Sequence, residues 1–203
     1  MVEFEAYAAD CRLSGRVDLG DRRLTDALNA TYELCLQAAR LESLEDGHVV
    51  EIPEVTVGRD ELCLVVASGT RGDAARRLHT HTTPVEVDLG PYHVAGAVHG
   101  TPASDPLGAV AWRAPWVPLT EVVLTYRQGT ELVREEIATL LVNRGLAGSF
   151  RAVEEASVAL PWETPRTSMP ARVRSIDLTG TLRDDLAPDD RAGGVPTSQE
   201  PPV

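Results

Sequence analysis

The chain contains no lysine: every one of its 19 basic residues is an arginine. That absence excludes a Schiff-base amine, a pyridoxal-phosphate anchor, a Walker A phosphate lysine and a kinase-type lysine. Cysteine is scarce as well. Cys11, Cys35 and Cys63 form an odd set with no C-x-x-C pair, each among apolar residues, and are expected to be reduced core residues. Long apolar runs are missing, since Leu62 to Ala67 and Leu140 to Val142 fall far short of the roughly 20 residues that cross a bilayer. The opening Met1-Val2-Glu3-Phe4-Glu5 is acidic where a secretory signal is basic. The expectation is a cytoplasmic protein without a membrane partner.

The formal net charge is -12 over 203 residues. Residues 161–203 hold seven acids against five arginines, so the preceding part is also strongly acidic. Nucleic-acid affinity comes largely from cationic side chains that displace counterions, and such a field disfavours it.

An internal echo organises the chain. Cys11-Arg-Leu-Ser-Gly-Arg-Val17 matches Tyr92-His-Val-Ala-Gly-Ala-Val98, each reading as the first strand of a module, bent at its glycine. A short helix follows in both, with Asp21 as the expected cap in one and Asp105 followed by Pro106 in the other. An aromatic residue, Tyr32 or Trp116, then opens a long strand, and turns follow at Glu45-Asp46-Gly47 and Arg127-Gln128-Gly129. Further strands are expected over 48–57 and 61–67, and over 132–143 and 149–159. Duplication is the reading of these four matches in one order.

The predicted fold is therefore mainly β: two tandem small β-barrel modules of Sm-like or SH3-like type, each with a short helix, over 5–68 and 85–160. Residues 69–84 read as a linker. Residues 161–203, proline-rich and acidic, read as a flexible tail in which 173–182 alternates well enough to pair as an added strand.

Little catalytic chemistry is legible. His79, His81, His93 and His99 fall close together, and a hairpin bringing them together would offer imidazoles to Zn, Ni or Cu, but no spacing fixes further ligands. The acidic pairs Glu135-Glu136, Glu154-Glu155, Asp184-Asp185 and Asp189-Asp190 read as solvated surface. No serine has a G-x-S-x-G elbow and no G-x-G-x-x-G occurs. No catalytic, cofactor or metal residue is assigned. The binding candidates are Trp112 and Arg113, beside Trp116, together with Asn143 and Arg144, because tryptophan and arginine supply large contact area and planar hydrogen bonding.

Leu141-Val142-Asn143-Arg144-Gly145, ending a strand after a glycine hairpin, resembles the second motif of Sm-like small barrels. Ala27-Leu28-Asn29 is similar to the start of the bacterial Sm-like riboregulators. The resemblance implies a strongly bent five-stranded sheet, assembly through strand edges and single-stranded RNA contacts near Asn143 and Arg144. The leading expectation is a non-enzymatic interaction or assembly protein whose partner is another protein or a second copy. The alternatives are a regulatory module that binds RNA or a small ligand, and an enzyme with a histidine metal site.

Overall fold

The computed structural model describes residues 1–68, 81–101, 105–110, 112, 114–153, 173–177 and 182–185. The linker expected over 69–84 lies largely outside them, as does most of the tail.

Alternation of apolar and polar residues makes the opening hairpin, β1 (Val2–Ala8) with β2 (Cys11–Val17), which places Phe4, Ala6, Leu13 and Val17 inside. The stretch expected to be the first strand is thus the second, with β1 before it. α1 (Leu24–Ala30) turns Leu24, Ala27 and Leu28 inward. Its N-cap is Arg23, not Asp21, and no side chain caps it. β3 (Glu33–Ser43) and β4 (Val49–Gly58) form the next hairpin, and a 3-10 turn over Arg59–Glu61 leads into β5 (Leu62–Val66), which returns to pair with β1.

The chain then runs through β6 (His81–Leu89), β7 (Tyr92–Gly100), α2 (Pro106–Val110), β8 (Trp116–Gln128), β9 (Glu131–Asn143) and β10 (Ser149–Ala152). Here the expected cap is present: the Asp105 carboxylate accepts from Leu107 N at 3.1 Å, with Pro106 at the first helical position. β11 (Val173–Asp177) and β12 (Leu182–Asp185) follow. The segment singled out as a possible added strand supplies β11, which pairs antiparallel with β10.

All twelve strands among the described residues form one open antiparallel sheet, in the order β12-β11-β10-β6-β7-β8-β9-β5-β1-β2-β3-β4. β3 and β8 are each interrupted by a residue of positive φ, Ala38 at 48° and Glu121 at 53°. Each bulge lies across from a glycine of the neighbouring strand, Gly15 in β2 and Gly96 in β7, where the registers shift. A side chain at Gly15 would meet the Gln37 carbonyl at 3.1 Å, and one at Gly96 the Thr120 carbonyl at 3.2 Å. The glycines let the strands approach and bend there.

Buried apolar residues divide into two clusters. One gathers β1 to β5 around Phe4, Leu28, Leu36 and Leu62, and borrows Trp116 and Leu141. The other gathers β6 to β10 around Tyr92, Leu124 and Phe150, and borrows Tyr7, Leu44, Cys63 and Leu64. No helix among the described residues is long and apolar enough to cross a membrane.

Candidate functional site: the central joint and the open edge

The two clusters meet where β5 pairs with β9, Leu64 against Val142, Val65 against Leu141 and Val66 against Leu140. All six are buried apart from Val66, so the ladder is dry. Asn143 closes one end. Its side chain is 4% exposed, its Nδ2 donates to the Leu62 carbonyl at 2.9 Å, and its Oδ1 accepts from Gly145 N at 3.0 Å. The amide that sequence reading offered to a partner is therefore spent on internal bonds that hold the start of β5.

Three tyrosines pack beside the joint, where Tyr7 lies opposite Leu64 and Ala8 opposite Leu62. Tyr7 of β1 meets Tyr92 of β7 and Tyr126 of β8 edge to face, with ring centroids 5.6 and 5.8 Å away. The Tyr92 hydroxyl donates to the Ala8 carbonyl at 2.5 Å. Glu135 of β9 accepts from Tyr7 at 2.7 Å and from Tyr126 at 2.9 Å, while Arg12 pairs with Glu5 and stands 3.6 Å from Glu135. The sequence pattern assigns Glu135 to solvated surface, whereas its side chain is only 25% exposed. Its neighbour Glu136 points to the opposite face and is exposed.

Burial, reinforced by the hydrogen bond to Glu135, pushes the Tyr126 hydroxyl from its ordinary 10.0 up to about 12. Burial raises Tyr7 and Tyr92 in the same direction. Between pH about 10 and about 12 the unfolded chain has lost the Tyr126 proton while the folded chain keeps it, so stability falls with rising pH across that window. Urea midpoints measured as a function of pH should decline there, and Tyr126→Phe should flatten part of the slope. An unchanged slope in that variant would remove Tyr126 from this account.

The sheet ends at β4, whose outer side carries no strand among the described residues, whereas the outer side of β10 carries β11. Beside β4 opens an apolar cleft of about 730 Å³ lined by Cys11, Leu13, Leu41, Val55 and Val57, with Asp10, Asp60 and Glu61 at its polar positions. A second hollow, of about 740 Å³, lies over the Gly15 bulge and mixes Arg16 and Arg40 with Glu3 and Glu51.

The other sequence candidates are scattered. Trp112 is 90% exposed just after α2, and Arg113 lies outside the described residues. Arg144 donates its backbone N–H to the Pro115 carbonyl at 2.8 Å, which places the turn after β9 beside the segment following Trp112. Trp116 is a core residue. Of the histidines, His79 lies outside the described residues, His93 meets Asp88 at 2.8 Å and His99 meets Thr120 at 2.7 Å. Among the described residues no group of three or more His, Cys, Asp or Glu is placed to hold a metal ion. The cysteines are not uniformly core: Cys63 is buried, Cys11 is half-buried and Cys35 is exposed, because Leu34 and Leu36 on either side of Cys35 take the inward face of β3. Burial and the adjacent Asp10 carboxylate push the Cys11 thiol up to about 11, away from the thiolate a nucleophile needs.

Sequence reading missed the joint tyrosines. Their signal was partial: Tyr7 and Tyr92 flank hairpins, but nothing in the spacing joins Tyr7 to a carboxylate 128 residues away. Comparison with known proteins returned no match, whether to a family model, to a curated protein or to a solved structure.

Proposed function

We propose that the protein is a non-enzymatic interaction and assembly protein, made of two tandem small β-barrel modules that join through sheet edges and offer a further edge to a partner. The carrying observation is one of register. The strands read β5-β1-β2-β3-β4 in one half and β10-β6-β7-β8-β9 in the other. Val2↔Val17 corresponds to Thr83↔Val98, an offset of 81 residues on both sides of the pair. Leu34↔Val57 corresponds to Val117↔Val142, offsets of 83 and 85, and Tyr7↔Leu64 to Asp88↔Ser149, offsets of 81 and 85. The bulges at Ala38 and Glu121 correspond as well. A copied unit accounts for all of these at once. It also makes Arg59 the counterpart of Arg144, so each half carries an arginine just past its fourth strand.

On that reading β4 is the counterpart of β9, the strand that already receives an edge inside the chain. Edge strands of this length are usually blunted or covered, because their unpaired backbone groups recruit other strands. Exposed Trp112, with Arg113 and Arg144 near it in the chain or fold, supplies a second contact to a partner. The acidic balance favours a protein over a nucleic acid. Light scattering on the full chain, combined with affinity capture from its native host, tests the proposal. Self-association or a stoichiometric protein partner is expected, and a strict monomer that captures nothing would overturn it.

A further inference from the structure

Six of the residues lining the cleft beside β4 are Ala8, Cys11, Leu13, Leu41, Val55 and Val57, and Cys63, Gly90 and Leu146 also border it. Under the offsets above, their counterparts in the second half are Leu89, Tyr92, Val94, Leu124, Leu140 and Val142. Every one of those counterparts is fully buried, in the cluster that Tyr7 and Leu64 of the first half complete. In the first half Cys11, Leu41 and Val55 remain partly exposed, so the same core positions are left open. Three of the six are also smaller, with Cys11 in place of Tyr92, Ala8 in place of Leu89 and Val55 in place of Leu140, while Leu13 is larger than its counterpart Val94 and the other two pairs are the same residue. The cleft thus has the form of a joint from which the incoming strand is missing.

Docked as the two halves dock inside the chain, a second copy is a poor occupant. The residues it would bring through its own β6 and β10 are the counterparts of Tyr7 and Leu64, namely Asp88 and Ser149. Asp88 is tied to Arg151 at 2.7 Å and to His93 at 2.8 Å, and moving that charged group into an apolar cleft would cost several kcal/mol. The backbone of β4 is nonetheless set to receive a strand. Thr139 in β9 turns its carbonyl to Ala67 N at 3.0 Å, and its counterpart in β4 is Glu54, with Thr56 next on the same side. Gly58, one step further, already donates its N–H to Glu61.

We infer that the β4 edge and its cleft bind an extended peptide segment of a different protein, which pairs antiparallel along Glu54 to Thr56 and inserts a tyrosine- or leucine-class side chain into the cleft. Asp10, Asp60 and Glu61 at the cleft call for arginine or lysine beside that anchor. This deepens the proposed function by naming its partner class, and it rests on that reading. Selection of a random-peptide display library on the full-length chain tests it. The expected enrichment is for aromatic or leucine residues at alternate positions flanked by basic ones. Affinity for a peptide so selected should fall about tenfold or more in two variants with unchanged Tm. Thr56→Pro removes an outward N–H on an edge strand, where proline is tolerated, and Cys11→Tyr fills the cleft with the residue found at its counterpart. No enrichment, or equal affinity in both variants, overturns the inference. So does a dimer of the chain that Thr56→Pro dissolves, because the occupant is then a second copy. If the library fails while light scattering still shows assembly, this inference falls and the broader proposal stands.

Discussion

Replacing Tyr7 with alanine should destabilise the chain by about 3–5 kcal/mol, the range for removing a large buried aromatic side chain. Tyr7 is wholly buried, although its strand belongs to the first half and its ring lies in the core of the second. The substitution removes two edge-to-face ring contacts and opens a cavity between β1, β7 and β8. Glu135 keeps its bond from Tyr126. Tyr7→Phe, which keeps the ring and loses the hydroxyl, should therefore cost only about 1–2 kcal/mol. Chemical denaturation separates the two. A loss under about 1 kcal/mol for the alanine variant would mean that the joint is held by the β5–β9 ladder alone.

Valine at Gly15 should cost about 2–4 kcal/mol, because a side chain there meets the Gln37 carbonyl at 3.1 Å and Ala39 Cα at 3.3 Å, both main-chain atoms that cannot swing aside. The same change at Gly96 should follow in direction. Its nearest neighbours are Val122 Cγ2 at 3.0 Å and the Thr120 carbonyl at 3.2 Å, so part of the strain can be relieved by a side-chain shift. Gly90→Ala is the control for conformation alone, with φ of 50° and nothing within 4 Å of the added atom, and should cost about 1–2 kcal/mol. If both valine variants unfold near the wild-type urea midpoint, the bends do not depend on close approach.

Much of the strand content was readable because the inward faces alternate. Cys11–Val17 and Tyr92–Val98 carry their bend at a glycine in both places, and the offset of 81 read between them holds through the hairpins they belong to. The aromatic match did not hold. Tyr32 lies outside its strand, exposed, with the Arg59 guanidinium 4.4 Å above its ring, whereas Trp116 is buried at the start of β8. The offset rises from 81 to 83 between the second and third strands, so matching by residue type slipped by one position. β1 and β6 were missed for local reasons. Val85, Val87 and Leu89 alternate clearly, but Pro84 and the polar residues before it read as linker. Pro84 is tolerated at the last rung, where its carbonyl accepts from Val153 at 3.0 Å and its lack of an N–H costs no more than one terminal bond. The joint itself was illegible. Asn143 looks the same in sequence whether its amide faces a partner or the Leu62 carbonyl, and that choice depends on a strand 81 residues earlier.

The unequal ends of the sheet carry a consequence for colloidal behaviour. An edge that accepts its own opposite edge is the recipe for open-ended fibres, since every added subunit regenerates the site that recruited it. Here β10, the strand that matches the one filling the joint inside the chain, is already paired with β11 and flanked by the Asp88, Arg151 and His93 cluster, and the far end of the sheet is the four-residue β12. Growth that repeats the internal joint from copy to copy is therefore closed, and concentrated solutions should stay free of elongated aggregates built on that pairing.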